Sequence, residues 1–145
     1  MCGILGTVNI ADHHRVLDLI RHRGPDAYGE VDRKVGHHAV YLGHRRLSIV
    51  DLSPAGNQPM LSQDGTKVLV YNGEVYNHLD LRSQCNGARF TGHSDTETLL
   101  HLLSDQGAAA ISELNGIFAF AFLNMATSRL YLVRDPFGVK PLYYC

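Results

Sequence analysis

Ile117-Phe118-Ala119-Phe120-Ala121-Phe122-Leu123 is the longest apolar run in this chain of 145 residues. It is too short to cross a bilayer, which takes about 20 residues as a helix. Read as a strand, it sends alternate side chains to opposite faces, and here both faces are apolar. Such a strand is covered on both sides, so it belongs in a sheet sandwiched between two other layers. Leu114-Asn115-Gly116 precedes it. The turn Asn124–Ser128 follows and returns the chain as a second strand, Arg129-Leu130-Tyr131-Leu132-Val133.

Upstream, Gln63-Asp64-Gly65-Thr66 is a hairpin turn signal, with Asp-Gly supplying positive φ. It opens the strand Lys67-Val68-Leu69-Val70-Tyr71, which is expected to stop at Asn72-Gly73-Glu74, where Gly suits an unusual backbone conformation. Helices are expected over 77–85 and 94–106. Ser94 has the capping-box spacing to Glu97, and Leu99, Leu100, Leu102 and Leu103 form an apolar side. A short helical piece follows Gly107. At the N-terminal end, 3–9 reads as a strand and 12–21 as a helix, with Asp12 as N-cap and Val16, Leu17 and Ile20 on one face. Residues 21–26 and 52–59 read as loops, and 27–33 with 36–47 as paired strands around Lys34. After the loop 134–141, Leu142-Tyr143-Tyr144 is expected to begin another strand. Strands, two central helices, then strands again make an α+β fold of two sheets with helices packed outside.

Composition narrows the function. Apolar content is 45% and charged content 19%, as in a globular domain. Thirteen basic and 14 acidic residues are mixed along the sequence, for a net charge of −1. This offers no basic stripe for nucleic acid and no polybasic membrane patch. The N-terminus lacks a signal-peptide layout. Cys2, Cys85 and Cys145 are an odd, widely spaced set, which points to a reduced, cytoplasmic protein without a disulfide framework. The nine histidines include the pairs His13-His14 and His37-His38. Strand neighbours point to opposite sides, and H-E-x-x-H and C-x-x-C are absent, so no metal site is expected. Phosphate-binding glycine loops and a G-x-S-x-G elbow are absent as well.

The chemistry-bearing stretch is Met1-Cys2-Gly3. If Met1 is removed, Cys2 carries a thiol and a free α-amine, whose ordinary pKa values are about 8.5 and about 7.7–8.0. A nucleophile and its base then share one residue. The alternative is a small thiol packed like any apolar group. Attack on an amide makes an oxyanion, which needs N–H donors. Asn72-Gly73 offers an amide side chain and an unobstructed backbone N–H, or else an ordinary Asn-Gly turn. Arg45 and Arg46 alternate on a strand, so one of them is placed to clamp a carboxylate; otherwise both are solvated charges. Asp95, at a helix entry, receives an ammonium or simply favours the helix dipole.

Eight motifs occur in one order: M-C-G-I at 1–4, R-H-R-G-P-D at 21–26, H-R-R-L-S-I-V-D at 44–51, G-N-Q-P at 56–59, Y-N-G-E-V-Y-N at 71–77, S-D-T-E at 94–97, L-N-G-I-F-A-F-A at 114–121 and R-D-P-F-G-V-K-P-L-Y-Y at 134–144. Together they resemble the glutaminase domain of class II glutamine amidotransferases, and within these the glutamine-hydrolysing asparagine synthetases. The R-L-S-I-V-D segment differs from that of the phosphoribosylpyrophosphate and fructose-6-phosphate amidotransferases. The resemblance implies the N-terminal-nucleophile αββα sandwich over residues 1–145, with two antiparallel sheets and outer helices. It implies that Cys2 attacks the glutamine side-chain amide, with its own α-amine as base, and that Asn72 and Gly73 form the oxyanion hole. Arg46 would hold the substrate carboxylate, Asp95 and Glu74 its ammonium, and Ile49 and Val50 would lend backbone groups.

The resemblance implies no cofactor for this half-reaction. The family's ATP-binding synthetase domain, with its S-G-G-x-D-S loop and magnesium, is absent from the sequence. Ammonia would pass to a synthetase domain or subunit whose carboxylate acceptor is open, and a homo-oligomer is possible in such a family. Two departures stand out. Only residues 10–20 separate the first strand from R-H-R-G-P-D, fewer than in most members. The family domain also continues past P-L-Y-Y, so a C-terminally truncated sandwich is expected. The competing expectation is a non-catalytic domain of the same fold that serves as an interaction module.

Overall fold

The computed structural model describes residues 2–11, 13–49, 52–85 and 87–145, with the backbone alone of 13 and 14. The long apolar run lies in strand β6 (Gly116–Asn124), at the interior of a four-stranded antiparallel sheet. It pairs on one side with β5 (Lys67–Val75) and on the other with β7 (Arg129–Arg134); the two-residue β4 (Met60–Leu61) borders β5. The second sheet has three antiparallel strands, β1 (Gly3–Val8), β3 (His38–Arg46) and β2 (Ala27–Val35), with β3 central.

Alternation along β5 and β6 builds two cores from the same strands. Leu69, Tyr71, Val75, Phe118, Phe120 and Phe122 pack against helices α2 (His78–Gln84) and α3 (Asp95–Gln106), including Leu81, Leu99 and Leu103. Val68, Val70, Ala121 and Leu123 face the other way, onto Val35, Val40 and Leu42 of the three-stranded sheet. Helix α1 (His13–Leu19) covers the far side of that sheet, where Leu17 lies against Gly43. The layers therefore run helix, sheet, sheet, helices, as the sequence implied. Among the described residues, no helix is long and apolar enough to cross a membrane.

Local expectations mostly hold. Ser94 caps α3 by accepting the Glu97 N–H at 3.2 Å. The Glu97 carboxylate does not close a box; it accepts from the Thr91 and Gly92 N–H groups at 2.7 and 2.9 Å. Gly65 has φ of +67°, as the Asp-Gly turn requires. Residues Gly107–Glu113 form a 3₁₀ helix. Asp12 lies outside the described residues.

Five expectations need correction. The β2–β3 hairpin turns at Gly36, φ +59°, two residues beyond Lys34, because glycine adopts that conformation without strain. Of the apolar face expected for α1, Leu17 is 2% exposed and Ile20 half-buried, but Val16 is 43% exposed. That helix stops at Leu19, and Arg21–Arg23 continues as a 3₁₀ turn where a loop was expected. Strand β5 does not stop at Asn72-Gly73-Glu74: it runs to Val75, because β6 is long enough to pair Gly73 with Phe118 and Val75 with Gly116. Finally, Leu142-Tyr143-Tyr144 begins no strand. Residues 141–145 meet no ladder partner among the described residues, and Tyr143 and Tyr144 are 90% and 85% exposed.

Candidate active site

Cys2 leads into β1, whose register sets Gly3 opposite Arg45. Its sulfur sits against the backbone of Leu47, which donates its N–H at 3.4 Å and offers its carbonyl at 3.6 Å. The R-H-R-G-P-D segment fixes this corner. Arg23 Nε donates to the Cys2 carbonyl at 3.4 Å. Asp26 takes the Arg46 carbonyl through its N–H at 3.0 Å and the Ser48 N–H through its carboxylate at 2.8 Å. Gly24 is pressed so closely onto β3 that a Cβ would stand 2.4 Å from the Arg45 carbonyl.

Strand alternation separates the two arginines as expected. Arg45 turns to the outer layer, where it bonds the Leu17 carbonyl at 3.3 Å, pairs with Asp18 and lies over the Tyr28 ring. Arg46 turns inward and lines a cleft of about 150 Å³ together with Cys2, Asn72, Gly73, Glu74 and Asp95. Its guanidinium is aimed by the Ser53 carbonyl at 2.9 Å and Asn57 Oδ1 at 2.7 Å. Drug-sized ligands occupy roughly 300–1,000 Å³, so this cleft suits a smaller molecule. Arg46 and Lys140 against Glu74 and Asp95 give it two cations and two anions.

The Asn72-Gly73 pair is not a turn. In an antiparallel ladder, opposed residues alternate between exchanging two hydrogen bonds and exchanging none. Phe118 gives its N–H and carbonyl to Asp135, on the side away from β5. Its partner Gly73 therefore points its N–H away from β6, over the free edge of β5 left by the short β4. On that edge the Tyr71 N–H is taken by Gln58 Oε1 at 2.6 Å and the Val75 N–H by Asp95 Oδ2 at 3.0 Å. Between these capped positions the Gly73 N–H faces the cleft. Gly73 is glycine because of packing and not because of backbone conformation: a Cβ there would stand 2.2 Å from the Ile117 carbonyl oxygen.

Asp95, at the start of α3, is buried. Its Oδ2 also accepts the Tyr71 hydroxyl at 2.6 Å, which leaves Oδ1 without a partner among the described residues. Burial, then the adjacent Asp95 charge, pushes the Tyr71 phenol well above its usual range, so it remains a donor. Asp135 organises the segment that carries Lys140. Its burial disfavours the charge, but the N–H groups of Lys140, Val139, Phe118 and Phe137 outweigh this and hold its carboxyl below the usual range. Ile49 is at the cleft and 70% exposed; Val50 lies outside the described residues. The structure thus gathers every other implied site residue at one cleft. It adds Gln58, Tyr71, Ile117 and Lys140, which the sequence reading assigned no role, although all four stand in motifs already singled out.

A layered fold of two antiparallel sheets, with a cysteine at the head of β1 beside a cleft of paired opposite charges, has the architecture of the N-terminal-nucleophile class. The family model described as "Glutamine amidotransferase domain" matches residues 1–145, and the chain belongs to that family. Within it, the chain is similar to glutamine-hydrolysing asparagine synthetases. It is 40% identical over 152 residues to that of Sandersonia aurantiaca and 41% over 157 residues to one of Bacillus subtilis. In each case 99% of this chain is covered, with 28% and 24% of the relative. An amidase of Gibberella zeae is 44% identical over 162 residues, covering 99% of this chain and 24% of the amidase. The chain spans about a quarter of the length of these relatives. Among solved structures, a glutamine phosphoribosylpyrophosphate amidotransferase from Bacillus subtilis superposes with a TM-score of 0.55. That match is at 30% identity, over 72% of this chain and 24% of that one.

Proposed function

We propose that this domain hydrolyses glutamine to glutamate and ammonia through a thioester on Cys2. The observation that carries the reading is the Gly73 N–H presented on the free β5 edge, in one cleft with Cys2, Arg46 and Asp95. With Met1 removed, the Cys2 α-amine takes the thiol proton and the sulfur attacks the side-chain carbonyl carbon. The Gly73 N–H and the Asn72 amide meet the developing oxyanion, a contact worth about 10²–10³ in rate per donor. The C–N bond breaks as the α-ammonium returns a proton to the leaving nitrogen, and ammonia departs. Water then cleaves the thioester, releasing glutamate and restoring the thiol.

Arg46 clamps the substrate carboxylate, Asp95 Oδ1 and Glu74 its ammonium, and the backbone around Ile49 and Val50 borders the side chain. These steps draw on the chain's own side chains, backbone N–H groups and α-amine, and on water. ATP and magnesium belong, on this reading, to a synthetase domain or subunit that receives the ammonia. Intact mass after exposure to a glutamine analogue with an electrophilic side chain tests the proposal. A single adduct on a chain lacking Met1, absent from Cys2→Ala, is expected. A chain that loses Met1 yet remains unmodified and releases no ammonia from glutamine would refute it.

A further inference from the structure

Gln58 is buried, 7% exposed, and lies in a loop that the proposed chemistry does not use. Its two amide atoms are both engaged by residues that line the cleft. Oε1 accepts the Tyr71 N–H at 2.6 Å and Nε2 donates to Thr96 Oγ1 at 3.4 Å. Its own backbone is seated on the opposite sheet, since a Cβ on Gly29 of β2 would stand 2.2 Å from the Gln58 carbonyl oxygen. One residue thus ties the β5 edge to the first turn of α3 while anchored on the other layer.

The reason lies in the ladder. β4 reaches β5 only at Leu69 and Val68. Beyond Leu69, the outward N–H groups at 71, 73 and 75 have no strand to meet them. Gln58 supplies at Tyr71 the acceptor that a longer β4 would have supplied, and Asp95 does the same at Val75. Thr96 and Asp95 are neighbours on α3, so the Gln58 bridge also sets where the Asp95 carboxylate stands relative to Gly73.

We infer that Gln58 is a positioning residue for this reaction. It stands in for the missing strand partner and fixes the distance between the oxyanion donor at Gly73 and the ammonium site at Asp95. The inference rests on the glutaminase reading above. Its effect falls chiefly in the transition state, because Gln58 touches neither end of the substrate and sets only the distance between the ammonium clamp and the oxyanion donor, which matters most once the oxyanion forms. Displacing a reacting group by about 1 Å costs on the order of 10²-fold in rate.

The test compares Gln58→Met and Gln58→Glu in the full chain. Met fills the volume without an acceptor; Glu keeps an acceptor for the Tyr71 N–H. Steady-state glutamine hydrolysis and amide exchange at Tyr71 are measured for each. Gln58→Met should lower kcat about 10–100-fold with KM within a few-fold, and speed exchange at Tyr71. Gln58→Glu should recover most of both. Wild-type kcat in Gln58→Met, or equal losses in the two variants, would overturn the role of Gln58 while leaving the glutaminase reading intact. A fall in kcat with the Tyr71 amide still protected would overturn it as well. Absence of ammonia release from wild-type chain lacking Met1 would instead overturn the reading beneath it.

Discussion

His44 makes folding sensitive to mild acid. It sits on β3 between the sheets, 0% exposed, and neither ring nitrogen has a hydrogen-bond partner among the described residues. Burial lowers its pKa to about 4; the nearby Tyr71 backbone partly offsets this and the Arg46 charge adds to it. An unfolded histidine titrates near 6.5. Between the two values the unfolded chain binds a proton that the folded chain refuses, so stability is full above about 6.5 and falls as pH drops towards 4. Integration over that window gives a loss of about 2 kcal/mol between pH 7 and pH 5, and about 3 kcal/mol near pH 4. Glu97 and Asp135, both held below their usual range, release their contributions only at lower pH, below the ordinary carboxylate values. Urea denaturation at pH 7, 6 and 5, for wild type and His44→Leu, reads the effect directly. Wild type should lose about 2 kcal/mol more than the variant across that range. Equal pH dependence in the two proteins would refute the buried neutral imidazole as its source.

Three further outcomes follow from the packing. Gly73→Ala places a methyl 2.2 Å from the Ile117 carbonyl oxygen, so β5 and β6 must separate; denaturation should show a loss of about 1–3 kcal/mol, and ammonia release should vanish. Arg46→Lys gives up a fork held by Ser53 and Asn57. Its loss of a charge-assisted bond, about 1.5–3 kcal/mol, should appear in glutamine KM more than in kcat. Asp135→Ala strands four backbone N–H groups that converge on one carboxylate; the thermal midpoint should drop by several degrees, with glutaminase activity falling as Lys140 loses its seat.

Much of this was legible in the chain. The run 117–123, apolar on both faces, announced a strand with cores on either side, and Phe118 and Leu123 do serve different cores. Capping and turn chemistry placed α3 and the Gly65 turn because those signals act over a few residues. The end of β5 was misread for the same reason. Asn72-Gly73 carries a strong local turn signal, which pairing with nine residues of β6 overrides. Val16 was misassigned because helical periodicity finds a stripe, while its burial depends on how far the neighbouring sheet extends.

By itself the sequence determined the reactive residue types, their order and the layered fold, since these follow from side-chain chemistry and from alternation along single strands. The motif order also implied Arg46 and Gly73 for the site; only the tertiary structure supplied the physical reason that Arg46 and not Arg45 faces the cleft, left the Gly73 N–H uncapped on the β5 edge, and set Gln58 against Tyr71. Those outcomes depend on ladder parity and on where β4 ends, both set by pairing between residues far apart in the chain.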